Sequence, residues 1–225
     1  MLEGQTKLKT DALQTWRAGV PPANHQIKQN LPPLGWYRRG EKHPPHYDTL
    51  NLTQFVTFRL ADTLPQVKLN EWKEDLAEGR ISDTQYRQQA EEWQDKGMGA
   101  CRLKDERIAC MVQDALLYFD GTRYILHAWV IMPNHVHVLF SPRETHRLAE
   151  ILHSWKSFTA KRANQILGRS GIFWQDDYFD RFMRNEADLN NTLTYMAYNP
   201  VMAGLSATPE QYPFAGGWAS RPSDV

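Results

Sequence analysis

Two runs of β-branched and aromatic residues lie almost next to each other in the middle of the chain, at positions 123–131 (RYILHAWVI) and 135–140 (HVHVLF). Only Met132, Pro133 and Asn134 separate them. A connection of three residues can join antiparallel strands, whereas a parallel crossover needs a dozen residues or more. The sequence therefore predicts a central β-hairpin, and the rest of the fold must be built around it.

The pattern of apolar residues predicts five further elements: a strand at 53–60, helices at 106–118 and 146–167, a strand at 178–183 and a helix at 185–198. Without the last helix, the order is βαββαβ. This order is typical of the ferredoxin-like α+β fold, an antiparallel sheet with helices on one face. The last helix is appended after the sheet, and we expect it to stop at Asn199, because a proline follows.

The chain divides into an accessory N-terminal arm, a main domain and a C-terminal tail, at residues 1–50, 51–205 and 206–225. Three Pro-Pro pairs interrupt regular structure in the arm. The arm is either a mobile or wrapped tail or a segment that contacts DNA. A charged segment at about 66–97 predicts one or two surface helices inserted after the first strand.

The composition sets limits on the class of protein. Twenty-six basic and 26 acidic residues give a formal net charge of +0, which argues against a protein that coats nucleic acid by bulk charge but leaves room for a local basic groove. Cys101 and Cys110 do not make a disulfide framework. Without an apolar signal segment or a membrane-length apolar run, we expect a cytoplasmic protein that does not enter a membrane.

His135 and His137 are the first candidates for a functional site. Alternate residues of a strand point to the same face, so both imidazoles can bind one metal ion, although polar packing would also explain them. Two polar rings on an apolar strand need a reason to be buried. A third ligand could come from His127, on the preceding strand, or from Asn199.

Tyr195 and Asn199 stand four residues apart on the last predicted helix and therefore share one face. The side-chain carbonyl of Asn199 is a suitable ligand for a hard cation such as Mg²⁺. Tyr195 would lie one turn from that ion, where a phenol can act as a nucleophile, although helix tyrosines more often only pack. Tyr198 competes for this role, but it points about 100° away around the helix.

Several motifs together resemble a known family. Segment 132–140 (MPNHVHVLF) is similar to the HUH motif of single-tyrosine nucleases, and 195–205 (YMAYNPVMAGL) resembles the YxxxNPVxAGL signature of IS200-like transposases. Segment 173–182 (FWQDDYFDRF) resembles a motif of the REP-associated tyrosine transposases, and 119–124 and 153–161 are similar as well. The resemblance covers about residues 50–218.

This resemblance implies a chemistry for each candidate residue. His135, His137 and Asn199 would bind a divalent ion, Mg²⁺ or Mn²⁺, and Tyr195 would be the nucleophile. The implied activity is cleavage and rejoining of single-stranded DNA through a 5′-phosphotyrosine intermediate, at REP-type hairpins or insertion-sequence ends. Met202 replaces a basic residue that the family usually carries, which puts one phosphate contact in doubt.

Basic residues interleaved with aromatic ones predict where a DNA strand binds. These predicted DNA contacts are Lys156, Lys161, Arg162, Arg181 and Arg184 of the main domain and Arg38 and Arg39 of the arm. We expect a monomer or a homodimer. The sequence leaves open three alternatives: a non-enzymatic protein that binds DNA hairpins, a small metallohydrolase, and an HUH replication initiator or relaxase.

Overall fold

The computed structural model describes residues 34–37, 45–48, 52–95, 97–143 and 145–217. Arg38 and Arg39 lie outside the described residues. The strands are β1 (Gly35–Tyr37), β2 (His46–Asp48), β3 (Gln54–Arg59), β4 (Tyr124–Ile131), β5 (His135–Pro142), β6 (Phe179–Phe182) and β7 (Ala215–Gly216). The helices are α1 (Gln66–Ala77), α2 (Asp83–Asp95), α3 (Glu106–Leu117), α4 (Leu148–Ile166) and α5 (Glu186–Met202).

A five-stranded sheet in the order β6-β3-β5-β4-β7 forms the centre of the domain, and all of its strand pairs are antiparallel. The four predicted core strands are β3, β4, β5 and β6 in chain order, and β3 and β5 lie in the middle of the sheet. That is the strand order of a ferredoxin-like sheet. The predicted α+β fold class is confirmed.

Strand β5 explains why the sheet has two different faces. Val136, Val138 and Phe140 belong to the core that also contains buried residues of α3 and α4. The alternate residues His135, His137 and Leu139 point to the opposite face because side chains alternate along a strand. There Leu139 packs in a second core, which includes residues of α5. The last helix therefore covers the sheet face that bears the two histidines.

The prediction that α5 stops at Asn199 is wrong, because the helix continues through Pro200 to Met202. A proline in the last turn removes only one intrahelical hydrogen bond, so the turn survives. The helix ends at Met202, and Gly204, two residues further on, has a φ of +69° in the left-handed region. The N–H groups of Gly204 and Leu205 donate to carbonyls of the last turn, at Val201 and Pro200.

The charged insert forms α1 and α2, as predicted, and a small core of its own joins them. That core contains Leu64, Trp72, Tyr86 and Ala90. Gly79, with a φ of +69°, lies in the turn between the two helices. The insert is therefore a packed helical pair rather than a loose loop.

Both ends of the chain contribute short strands that the sequence did not predict. In the arm, β1 pairs with β2, and buried Asp48 forms an ion pair with Arg147, just before α4. In the tail, β7 pairs with β4 at the edge of the sheet. Strands of two or three residues are too short to show an alternating pattern in the sequence. Among the helices of the described residues, none combines the length and the apolarity needed to cross a membrane.

Candidate active site

The two histidines of β5 converge on one point. Their Nε2 atoms lie 3.0 Å apart, and the side chains are almost completely buried. The regular alternation of β5 brings the rings to one face, and the antiparallel register places Thr57 and Arg59 of β3 opposite them. The prediction that both rings project from one face of a strand is confirmed.

The outer nitrogen of each ring is held by a neighbouring polar group. Asn134 donates from Nδ2 to the carbonyl of Met98 at 3.1 Å, so its Oδ1 faces Nδ1 of His135 at 2.7 Å. An amide oxygen only accepts, so Nδ1 of His135 carries the hydrogen and Nε2 presents a lone pair. In His137, Nδ1 lies 2.7 Å from the hydroxyl of Thr57. Ligating histidines in metal sites are held in this way.

The electrostatics keep both imidazoles neutral. Burial lowers the pKa of His137 to about 3, and the positive charge of Arg59 adds to the effect. Burial also lowers the pKa of His135 well below its usual value, with further contributions from His137 and Arg59. Neutral imidazoles are the form that binds metal ions. Two neutral imidazoles whose Nε2 atoms converge on one point therefore fit a divalent cation.

Tyr195 of α5 completes the cluster. Its hydroxyl oxygen lies 3.4 Å from Nε2 of His137, and its ring meets those of His137 and Phe55 edge-on. Tyr198, the competing candidate, has 51% of its side chain exposed. Of these two tyrosines, the structure brings only Tyr195 to the histidine pair.

Asn199 lies one helical turn beyond Tyr195 and is buried. Within the described ranges, no group of three or more His, Cys, Asp and Glu side chains is placed to hold a metal ion. A third protein ligand would have to be of another type, such as the amide oxygen of Asn199. The other candidate, His127, is directed elsewhere, because its Nε2 contacts the hydroxyl of Ser141 at 2.7 Å.

One family of known proteins is similar to part of the chain. The family model described as "Transposase IS200 like" matches residues 116–199, which run from the end of α3 to Asn199. These residues of the chain are similar to that family. The predicted resemblance to this family is thereby confirmed, and the matched residues include both histidines and Tyr195.

Two solved structures are similar to the chain at low sequence identity. One, described as a REP-associated tyrosine transposase bound to a REP hairpin, has a TM-score of 0.47 at 17% identity, covering 76% of this chain and 79% of that one. The other, a candidate transposase from Deinococcus radiodurans R1, has a TM-score of 0.33 at 12% identity, covering 67% and 92%. No curated protein matches the chain.

Three further residues of the site were not predicted from the sequence. Thr57 and Asn134 hold the histidine rings, and Arg59 places a buried positive charge beside them. The available signal was Arg59, the only charged residue in the predicted strand segment 53–60. A charge in such a strand needs a partner or a function.

The predicted DNA contacts have different surroundings. Arg181 and Arg184 both bind the carboxylate of Asp188 in the first turn of α5, so they hold this helix in place. Lys156 donates to the carbonyl of Asp176 at 2.6 Å, and Arg162 donates to Gln165 at 3.0 Å. Lys156, Lys161 and Arg162 belong to α4, which packs on the other face of the sheet from the histidines. Their binding to DNA stays a prediction.

Proposed function

We propose that this protein is a transposase that cuts and rejoins single-stranded DNA with Tyr195 as the nucleophile and a divalent metal ion in the site. The observation that carries the proposal is the 3.4 Å distance between the Tyr195 hydroxyl and Nε2 of His137. A phenol beside two converging neutral imidazoles fits metal-assisted phosphoryl transfer.

The residues fit a divalent ion for three reasons. The histidines are neutral, their Nε2 atoms converge, and polar neighbours hold the opposite nitrogens. His135, His137 and Asn199 would hold Mg²⁺ or Mn²⁺, mixing nitrogen and oxygen ligands. When bound, such an ion neutralises charge on a phosphoryl oxygen and favours the phenolate form of a nearby tyrosine.

The proposed step exchanges one phosphate ester for another. The Tyr195 oxygen attacks the phosphorus and gives up its proton, the bond from phosphorus to the 3′ oxygen breaks, and that oxygen leaves as a hydroxyl after taking up a proton. Attack by a 3′-hydroxyl on the phosphotyrosine reverses the step and joins two strands. The number of phosphate ester bonds does not change, so no nucleotide hydrolysis is required.

The environment of Tyr195 supports this role. Its ring packs edge-on against Phe55 and His137, which restricts the direction of the hydroxyl. Arg59 supplies a buried positive charge close to the histidines, which suits a site that receives an anionic phosphate. The segment 173–182 resembles that of REP-associated tyrosine transposases, so we propose a DNA hairpin with a single-stranded flank as the substrate.

The test is formation of a covalent protein–DNA adduct. Labelled hairpin DNA is incubated with the protein and Mg²⁺ or Mn²⁺, and the products are separated on a denaturing gel. We expect an adduct with the wild type and with Tyr198→Phe, no adduct with Tyr195→Phe, and no adduct after chelation of the metal. Tyr198→Phe is the matched control because it removes a hydroxyl from the same helix.

Other outcomes would point to other functions. An adduct that persists in Tyr195→Phe but disappears in Tyr198→Phe would show that Tyr198, not Tyr195, is the nucleophile. Metal-independent hairpin binding without any adduct would favour a non-enzymatic hairpin-binding protein. Nicking of DNA without rejoining to a second strand would favour a replication initiator or relaxase.

A further inference from the structure

A cavity of about 250 Å³ lies between the inserted helices and the segment that leads into β6. Its polar lining comes from Arg59 of β3, Lys73 and Tyr86 of the insert, and Gln175, Asp176 and Asp177 of the segment. The family match begins at residue 116 and therefore does not include the insert that forms one wall. Nothing in the proposed reaction at Tyr195 uses this space.

The cavity is next to the candidate active site. Arg59 stands opposite His135 in the register of β3 and β5, and its charge acts on both histidines. Phe179, another lining residue, packs edge-on against Phe55, which in turn stacks on His137 with ring centroids 5.2 Å apart. Arg59 and the pair Phe179 and Phe55 thus connect the cavity to the histidine pair.

The polar groups of the cavity are suited to a ligand with both donors and acceptors. The side-chain nitrogen Nε2 of Gln175 is buried, and among the described residues it has no hydrogen-bond partner. The backbone N–H of Gln175 donates to the carbonyl of Arg59 at 2.9 Å, which holds the two residues side by side. Asp176 adds a carboxylate, which accepts hydrogen bonds. A buried unpaired amide nitrogen is costly, and a ligand acceptor would satisfy it.

The size and the walls select among ligands with that chemistry. Leu69, Ala90, Tyr178 and Phe179 give the cavity apolar and aromatic surfaces. A phosphate would leave these surfaces without a partner and would meet the acidic group of Asp176. Pockets for drug-sized molecules measure roughly 300–1,000 Å³, so the smaller volume here suits a single planar ring system.

We propose that this cavity receives one unpaired nucleobase of the DNA strand, next to the phosphate that Tyr195 attacks. The inference rests on the proposed function, since it assigns the base to the same substrate. The base stacks on the aromatic wall, accepts hydrogen bonds from Gln175 and Lys73 and donates one to Asp176. Enzymes that act on single strands commonly hold an unstacked base in such a pocket. The inserted helices are then part of the substrate-binding surface.

The test replaces single bases of the DNA. In the Tyr195→Phe variant, which removes the proposed nucleophile, affinity is measured by fluorescence anisotropy for hairpins with one abasic site, moved through each position of the single-stranded flank. We expect one position where loss of the base weakens binding about tenfold, because stacking and hydrogen bonds to one base disappear. Adduct formation by the wild type on the intact hairpin is measured separately.

Variants of the cavity connect that position to the proposed pocket. Gln175→Leu and Lys73→Met, each added to Tyr195→Phe, should weaken binding of the intact hairpin. In these variants, the abasic site at the sensitive position should cause no further loss of affinity. The matched controls are Gln165→Leu on α4 and Lys68→Met on α1, where Lys68 pairs with Glu71 instead. In both controls, the abasic site should weaken binding as much as it does in Tyr195→Phe alone.

Two results would overturn the proposal: equal affinity for every abasic hairpin, or a sensitive position that stays equally sensitive in Gln175→Leu and Lys73→Met. The proposed function fails separately. If the wild type forms an adduct on Tyr195 but all abasic hairpins bind with equal affinity, the proposed nuclease function stands and the proposed base pocket is wrong. If one abasic position weakens binding in a way that depends on Gln175, but no adduct forms, the base pocket stands and the proposed nuclease function is wrong.

Discussion

The hydroxyl oxygen of Tyr195 lies 3.4 Å from Nε2 of His137, although 58 positions separate the two residues in the chain. The contact joins β5 in the middle of the sheet to the helix that follows the last core strand. It places a nucleophile candidate at the one point where two buried imidazoles converge. The first predictions concern this point and the residues that hold it in place.

Removal of either imidazole should abolish metal binding. Without His135 or His137 a single nitrogen ligand remains, so we expect His135→Ala and His137→Ala to lose measurable Mn²⁺ binding in isothermal titration calorimetry. Both should also form no DNA adduct. His153→Ala, at an exposed histidine on α4, is the control and should bind like the wild type. Unchanged affinity in His135→Ala would contradict the assignment of the metal site.

Residues that orient the imidazoles should also contribute to metal affinity. Asn134→Ala removes the acceptor on Nδ1 of His135, so the ring can rotate or change its tautomer. We expect metal affinity to fall about 10–100-fold, the usual effect of a lost outer partner in metal sites. Thr57→Val should act in the same direction through His137. Titration calorimetry with Mn²⁺ measures both, and circular dichroism checks that the fold is intact.

Asn199 should contribute an oxygen ligand. We expect Asn199→Ala to weaken Mn²⁺ binding and adduct formation, whereas Asn199→Asp keeps an oxygen in place and retains much of both. Asn190→Ala changes an exposed asparagine of the same helix and is the matched control. If Asn199→Ala binds Mn²⁺ as tightly as the control does, the third ligand must come from elsewhere.

The position of α5 should depend on Asp188. This carboxylate accepts from Arg181 and from Nε of Arg184, and its own N–H donates to the N-cap side chain of Asn185 at 2.8 Å. We expect Asp188→Ala to lower the free energy of unfolding by about 1.5–3 kcal/mol, because hydrogen bonds to charged groups are lost. Urea denaturation measures the change. Glu186→Ala, in the same turn but exposed, should have little effect.

Docking of the arm should weaken at alkaline pH. Buried His46 lies 2.5 Å from Asp180 and 3.0 Å from Asp177. Burial disfavours its charged form, but these carboxylates outweigh burial and raise the pKa of His46 above 6.5. The folded state therefore binds the proton more tightly, so the stabilisation is complete below pH 6.5 and is lost as the pH rises through the raised value.

The measurement compares wild type with His46→Leu in urea denaturation across that range. We expect the difference in unfolding free energy to be larger at about pH 6 than at about pH 9. His153→Leu, at an exposed histidine, should show no such trend. A difference that does not change with pH would mean that the charge of His46 does not anchor β2.

The core elements were predictable because each is long enough to show its own period. The alternation in β5 placed both histidines on one face, and the apolar positions of α4 placed that helix against the sheet. Interactions that depend on single residues were not predictable. The sequence predicts that α5 stops at Asn199, before Pro200, yet the helix runs on to Met202, because one missing N–H in a last turn costs little.

The amino-acid sequence by itself determined the central hairpin, the order of the core elements, the pair His135 and His137, and the choice of Tyr195 and Asn199 as candidates. These features depend on local period and on motifs, which are properties of neighbouring residues. Only the tertiary structure decided that Tyr195 rather than Tyr198 meets His137, and that Arg59 stands beside the histidines. Such contacts depend on the packing of α5 and the register of β3, which are set by the whole core.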